Sequence, residues 1–437
     1  MTNWDFLSLL TSNIQSFIYS FVFSFCIYYF CFRNVIHSIL DPLFWSLLGS
    51  CFGFSVVSFL FLLDQISIYY YSSYLLTQSS FIIFLLIGMK HRISIINPVI
   101  IINKSNFLYC FFFISLFVDL FCQTLTLYLR GIPILMESRL ETFSGGTGYG
   151  LFSRFLDISR CFTLYFVFYF WRKHKFRRIL KVYIIYLFLV LVASGSKSSV
   201  LSIGVLYFCY VFSNRITNGL KELSRITKLL IPISILGALL MLYIRLGSFT
   251  TSIIELLARF VFYGDIYWQA YPNDLLSVLN DSSPFKALFS DFLGSFRLID
   301  WANLPTPIGI DLYKSVHSVD LMTGPNARHN VFGLLYFGYA GSCLFSAVIG
   351  LCTGIFRQLC LAFSGHSHII KALAVILYIK MIALETDPTL AVTGLVSILI
   401  VFPILLFLSF CVFMLFDKSG LWEYQYCLLY TSPSPRD

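Results

Sequence analysis

Residues 391–416 read AVTGLVSILIVFPILLFLSFCVFMLF, an apolar stretch without a single Asp, Glu, Lys or Arg. A helix crosses the hydrocarbon core of a bilayer in about 20 such residues, so the stretch is expected to span a membrane. It is not alone. Working outward, the same reading gives candidate spans at 13–32, 43–63, 68–89, 107–129, 150–171, 179–193, 199–213, 229–247, 331–352 and 369–386. The expectation is therefore about eleven transmembrane helices, with a range of roughly ten to twelve. The two spans on either side of Ser194–Ser199 are short and are expected to be tilted or broken there.

Composition agrees. Hydrophobic residues make up 58% of the 437-residue chain and charged residues 12%, about half the charge of a soluble domain. The mean hydropathy is +0.83. The expected fold class is an all-α polytopic integral membrane protein, with residues 1–417 as a single transmembrane domain. The first ten residues hold Asp5 and no Lys or Arg. A basic n-region is missing, and the first apolar stretch is expected to remain as a span. The twelve cysteines fall mostly inside apolar runs, as Cys26, Cys51, Cys110, Cys122, Cys209 and Cys411 do, and no C-x-x-C occurs. They read as small apolar side chains rather than a disulfide framework or a zinc site.

Basic residues set the expected orientation, because cytoplasmic connectors carry an excess of Lys and Arg. Arg172, Lys173, Lys175, Arg177, Arg178 and Lys181 follow the fifth span; Lys90, Arg92 and Lys104 mark the connector before it; Arg215, Lys221, Arg225 and Lys228 mark the one after. These three face the cytoplasm. The connectors Asp64–Ser67 and Glu385–Pro388 have no basic residue and face outward. Loops 130–149 and 248–330 also face outward, and the second is the one long extramembrane segment. The N-terminus is expected outside. The tail 418–437 is expected in the cytoplasm, and its last residues, LYTSPSPRD, look like read-through or a cloning remnant. The net charge of +9 follows from this cytoplasmic bias and calls for no nucleic-acid partner.

Charges inside a span are costly and are functional candidates by default. Arg154, Asp157 and Arg160 recur every third residue on the fifth span, so they share one side of a helix. They read either as a self-satisfied ladder or, with two arginines to one carboxylate, as a site short of an anion. Just before them, Ser144-Gly-Gly-Thr-Gly-Tyr-Gly150 lacks the Lys of a P-loop and the strand of a dinucleotide fingerprint. It remains a Gly-rich turn at a helix N-terminus, either flexible or an anion nest, with Arg130 and Arg139 beside it. Lys197, in Ser194-Gly-Ser-Lys-Ser-Ser199, is an anion ligand or an interfacial lysine snorkelling to water. At the end of the long loop, Gly324-Pro-Asn-Ala-Arg-His-Asn330 places Arg328, His329 and Asn330 where the chain returns to the membrane. Tyr263, Tyr267, Trp268, Tyr271 and Trp301 in that loop suit stacking on sugar rings or anchoring an interfacial helix.

In layout and in these motifs the chain resembles the bacterial O-antigen polymerases of the O-antigen ligase/polymerase superfamily. Arg139, ten residues and Gly150 resemble the Arg-x10-Gly pattern of their outer loops. His329-Asn330 followed by Gly341 resembles the superfamily's His-Asn-(x)n-Gly signature, and Gly195-Ser-Lys197 resembles a Gly-Ser-Arg/Lys turn of relatives. A second Arg-x10-Gly is missing: Arg259, Arg297 and Arg328 are not followed by Gly at that spacing.

The resemblance implies a glycosyltransferase of lipopolysaccharide biosynthesis, multi-pass in the bacterial inner membrane. It would join undecaprenyl-pyrophosphate-linked repeat units at the periplasmic face, with loops 130–149 and 248–330 in the periplasm. It further implies no cofactor, a metal-independent reaction, and a chain-length regulator as partner beside the lipid-linked oligosaccharide and the bilayer. The roles expected on this basis are pyrophosphate binding for Arg130, Arg139, Gly150, Arg154, Arg160 and Lys197, and general base or hydroxyl positioning for His329. Arg328 and Asp265 would support His329 in catalysis, and Asn330 would join the substrate- and pyrophosphate-binding set. The alternatives are an O-antigen ligase and, from another class, a polysaccharide flippase or transporter, which would spread charges over several spans and break its helices.

Overall fold

The computed structural model describes residues 1–91, 105–132, 150–194, 197–214, 261–279, 283–317, 324–363 and 367–418, with isolated positions between 239 and 258. Among them the regular structure is helical, without a strand. Among the described residues, six helices are long and apolar enough to cross a membrane. Four of these are α2 (Ile14–Phe32), α3 (Pro42–Leu62), α4 (Ile68–Lys90) and α5 (Ser105–Arg130).

The expected spans at 150–171, 179–193 and 199–213 are the helices α6 (Gly150–Arg172), α7 (Arg177–Ser194) and α8 (Lys197–Ser213). These are more charged or shorter than the six. The expected span at 229–247 lies almost wholly outside the described residues. The protein is thus an all-α membrane protein of several passes.

Burial separates inner helices from outer ones. Asp41 caps α3 by accepting from the Leu43 N–H at 3.1 Å, with Pro42 in the first turn. A side-chain cap and a Pro at that position start a helix cleanly. α3 is then buried on nearly every face, which marks it as the bundle's core. By contrast α2 turns Val22, Phe23 and Phe30 outward. Such apolar faces suit lipid, where they cost nothing.

Ahead of α2, the short α1 (Asn3–Ser12) is closed by a capping box between Thr2 and Asp5. The first expected span starts at residue 13, so α1 lies outside the expected elements. α1 buries Phe6, whose ring stacks on Trp268 at 4.0 Å.

Trp268 belongs to α9 (Asp265–Ala270), a short helix in the segment expected to be an outer loop. Ile266, Tyr267, Trp268 and Ala270 are almost fully buried. This part of 248–330 is therefore built into the bundle. Further on, α10 (Pro284–Leu288), α11 (Ser290–Ser295) and α12 (Ile308–His317) continue the segment.

The main departure from expectation lies in α13 (His329–Ala362), where one continuous span was expected over 331–352. Gly338 sits at φ 66°, ψ −171°, a conformation that only glycine adopts readily, and it breaks the helix. The chain turns back on itself there. A β-carbon at Gly333 would meet Ser342 at 3.1 Å, and Phe332 stacks on Phe345 at 5.3 Å. Residues 329–337 thus form a short re-entrant limb lying alongside the long limb 339–362. The long limb, at 1.5 Å per residue, is about 36 Å and makes the full crossing.

The long limb packs against α4 at Gly88, Gly350 and Gly354. A β-carbon at Gly350 would lie 2.3 Å from the Phe81 carbonyl oxygen, and one at Gly354 would lie 2.6 Å from that of Leu85. Gly350-x-x-x-Gly354 is the small-residue spacing that lets membrane helices approach closely. The last two helices are α14 (His368–Ile382) and α15 (Pro388–Lys418), which fall on the two remaining expected spans.

Candidate functional site

The N-terminus of the re-entrant limb carries Arg328, His329 and Asn330, so the three residues that end the long loop do come together. They do not sit at a wet boundary. Their exposures are 3%, 0% and 1%.

Arg328 forms an ion pair with Glu385, in the connector between α14 and α15. Its Nη1 donates to the Tyr263 carbonyl at 2.8 Å, and its guanidinium lies 5.8 Å from the Tyr263 ring centre. Glycine at position 53 of α3 leaves room for it, because a β-carbon there would fall 2.8 Å from Nη1. Glu385 is 1% exposed and also accepts from Ser46 at 2.7 Å and from Ser50, both on α3. Such a pair tolerates burial only when its remaining hydrogen-bonding capacity is met. Here two hydroxyls and a carbonyl meet much of it.

His329 has its Nδ1 2.9 Å from Ser346 Oγ and its ring stacked on Phe81 at 4.8 Å. Its Nε2 is buried without a hydrogen-bond partner. If Ser346 accepts the Nδ1 proton, Nε2 is an unpaired base; if Ser346 donates, Nε2 carries the proton. Asn330 ties the limb to α4 by donating to Thr77 at 2.8 Å and Gln78 at 3.2 Å, and it accepts from Tyr267 at 2.8 Å. Gln78 donates in turn to Tyr28 at 2.8 Å. A polar network thus runs from α2 through α3, α4 and the limb to the α14–α15 connector.

Three of the five loop aromatics are occupied in packing. Tyr267 and Tyr271 lie edge-on and stacked against Tyr74 and Tyr70, and the Trp268 indole donates to Asn3 at 3.1 Å. Those three are not open to sugar rings; Tyr263 and Trp301 stay about half exposed.

The α6 charges turn out to be neither a ladder nor a surplus. Each has a partner on another element. Arg154 pairs with Asp291 of α11 at 2.5 Å and reaches Ser295 and Ser397. Arg160 pairs with Asp119 of α5 at 3.2 Å, beside Gln123, and Tyr183 also donates to Asp119 at 2.6 Å. Asp157 accepts from Lys380 of α14 at 2.6 Å. The missing anions are protein carboxylates. One further buried pair joins Arg357 of α13 to Asp41 at 2.7 Å, with the Tyr378 hydroxyl on the same carboxylate.

The other expected site residues lie at helix ends or outside the described residues. Asp265 opens α9, half-buried, two positions before Tyr267. Gly150 opens α6, exposed and near Ser295. Lys197 opens α8 and Arg130 ends α5, with both side chains outside the described part. Arg139 and the Gly-rich run ahead of Gly150 lie outside the described residues.

The sequence reading missed Glu385, which it used only as a sign of sidedness, and the buried carboxylates Asp41 and Asp119. The signal was present for Asp119, a charge in the middle of an expected span. Comparison with protein-family models, with curated proteins and with solved structures finds no match.

Proposed function

We infer that the protein is an O-antigen-polymerase-type glycosyltransferase with about eleven membrane spans, acting on undecaprenyl-pyrophosphate-linked repeat units at the outer face of the bacterial inner membrane. The observation that carries this reading is the buried Arg328–His329–Asn330 cluster on a re-entrant limb, where the long segment from 248 to 330 meets α3 and α4. Within it, His329 Nε2 is buried without a hydrogen-bond partner.

In the reaction an acceptor sugar hydroxyl attacks the anomeric carbon of the donor chain. A glycosidic bond forms, the bond to the lipid pyrophosphate breaks, and the hydroxyl proton passes to His329 Nε2. Arg328, fixed by Glu385, holds positive charge beside the base, where it favours charge developing on the leaving oxygen. The cluster is closed to solvent, so turnover requires the limb 329–337 to move away from α4. Deletion of the gene, with lipopolysaccharide from the host resolved on a gel, tests the reading. A polymerase leaves core plus one repeat, whereas a ligase leaves bare core.

A transporter is a second reading with an observation in its favour. Buried ion pairs are spread over α3, α5, α6, α13 and the α14–α15 hairpin, and α13 is broken. Polar groups on several helices and a discontinuous helix are features of transporters. Against it, all these charges are neutralised pairwise by protein groups. A flippase defect would leave lipid-linked repeats on the inner face.

A further inference from the structure

Away from the buried cluster, at the other end of the bundle, the ends of α4, α5, α6, α13 and α14 meet. Lys175 donates to the Tyr109 hydroxyl of α5, Gln358 of α13 donates to the Met89 carbonyl of α4, and His368 of α14 lies against the Tyr169 ring of α6 at 4.0 Å. On the turn between α6 and α7, Arg172, Lys173, Arg177, Arg178 and Lys181 are all exposed. Burial first, and then the charges of Lys371 and Lys173, push the His368 pKa down to about 4.

Carboxylates are scarce at this end in the full sequence. None occurs between Asp64 and Asp119, between Asp157 and Glu222, or between Asp320 and Glu385. Asp41 is held by Arg357. The other acids expected on this side are Glu222, which shares its connector with Arg215, Lys221, Arg225 and Lys228, and Asp417, Glu423 and Asp437, which share the tail with Lys418 and Arg436. Those two stretches bring six cations for four acids, so the positive charge of the turn stands whatever pairs they make.

The turn is fixed in shape. His174 and Phe176 adopt φ of 57° and 54°, a conformation that residues with side chains keep only where their surroundings hold it. The Phe176 ring packs at 5.4, 5.2 and 5.3 Å from the rings of Tyr109, Phe113 and Phe170. Arg178 and Lys181 then head one face of α7, and Val182, Ile185, Phe188 and Leu189 continue it, all exposed. Spacings of three and four residues put these side chains on one side of the helix. Trp171, at the end of α6, is also exposed, and tryptophan favours the headgroup level of a bilayer.

We propose that the α6–α7 turn is a binding surface for the headgroup of an anionic phospholipid in the leaflet on that side, with Arg177, Arg178 and Lys181 taking its phosphate. Basic residues beside a membrane span attract anionic lipid. A phospholipid sets its phosphate against the cations and its acyl chains against the apolar face of α7 at once, which a soluble anion does not. The surface lies apart from Arg328, His329 and Asn330, and the proposal does not depend on the polymerase reading.

The experiment places the full-length protein in phosphatidylcholine vesicles with a trace of photoactivatable phosphatidylglycerol or photoactivatable phosphatidylcholine. After irradiation, mass spectrometry locates the labelled peptides. The phosphatidylglycerol probe is expected to label residues 171–182 at least about tenfold more than the phosphatidylcholine probe, a difference of about 1.4 kcal/mol. Arg177→Gln, Arg178→Gln and Lys181→Gln together should bring the two probes level while labelling by phosphatidylcholine stays as in wild type, which shows that the helix still stands in the bilayer. Arg177→Lys, Arg178→Lys and Lys181→Arg together should keep the preference. Inorganic phosphate in excess should leave it in place. Equal labelling by the two probes, a preference that survives in the Gln variant, or a preference abolished by inorganic phosphate would overturn the proposal.

Discussion

His329 Nδ1 and Ser346 Oγ meet at 2.9 Å although 17 residues separate them in the chain. In a straight helix they would stand about 25 Å apart. This contact defines the re-entrant limb and puts His329 inside the bundle at the level of α4.

The limb predicts a cross-link. With the native cysteines replaced, Phe332→Cys and Phe345→Cys should form an intrachain disulfide under mild oxidation, since their rings stack at 5.3 Å. A continuous helix would hold these positions about 20 Å apart and give none.

The turn predicts a glycine requirement. Gly338→Val must place a β-branched residue at φ 66°, ψ −171°, which costs on the order of 1–3 kcal/mol. The unfolding midpoint in detergent should drop, and the 332–345 cross-link should form less completely. A variant indistinguishable from wild type in both would contradict the hairpin.

The Arg328–Glu385 pair predicts an asymmetric cost. Glu385→Ala leaves a guanidinium buried without its carboxylate and should destabilise by about 3–5 kcal/mol. Arg328→Ala added to it removes the stranded charge, and the double variant should recover part of the loss in chemical denaturation. Additive losses would mean that the two residues do not act as a pair.

Asp387 predicts a pH dependence. It lies in the α14–α15 connector and accepts from the Leu390 N–H at 3.0 Å. Burial is the main influence on it and raises its pKa, against backbone hydrogen bonds that lower it. Because the folded pKa is raised, ionisation opposes folding: its stabilising share is complete below the unfolded value of about 3.9 and is lost as pH rises through the folded pKa. Asp387→Asn keeps an acceptor for the cap and should be the more stable protein at pH 7. That advantage should shrink as the pH falls toward 4. Thermal unfolding across that range checks it, and an advantage that grows on acidification would refute it.

Long apolar runs made most of the helices readable from sequence, because lipid leaves the backbone only one way to satisfy its hydrogen bonds. The cluster at Arg328, His329 and Asn330 was readable as well, being polar residues against a span. What escaped the sequence was tertiary. Nothing in a hydropathy profile tells a re-entrant limb with Gly338 at its tip from a span of equal length. Glu385 lies 57 residues from Arg328, and their pairing exists only once α14 and α15 fold back. The same holds for Arg154 and Arg160, which looked short of an anion until Asp291 and Asp119 arrived from other elements.

The most direct test of the central claim is the lipopolysaccharide ladder of the native host with the gene deleted and complemented by wild type, His329→Ala or His329→Gln. The reading predicts core plus a single repeat in the deletion, a full ladder with wild type, and a single repeat again with either variant at equal protein level in the membrane. An unchanged ladder in the deletion, or a full ladder restored by both His329 variants, would contradict it.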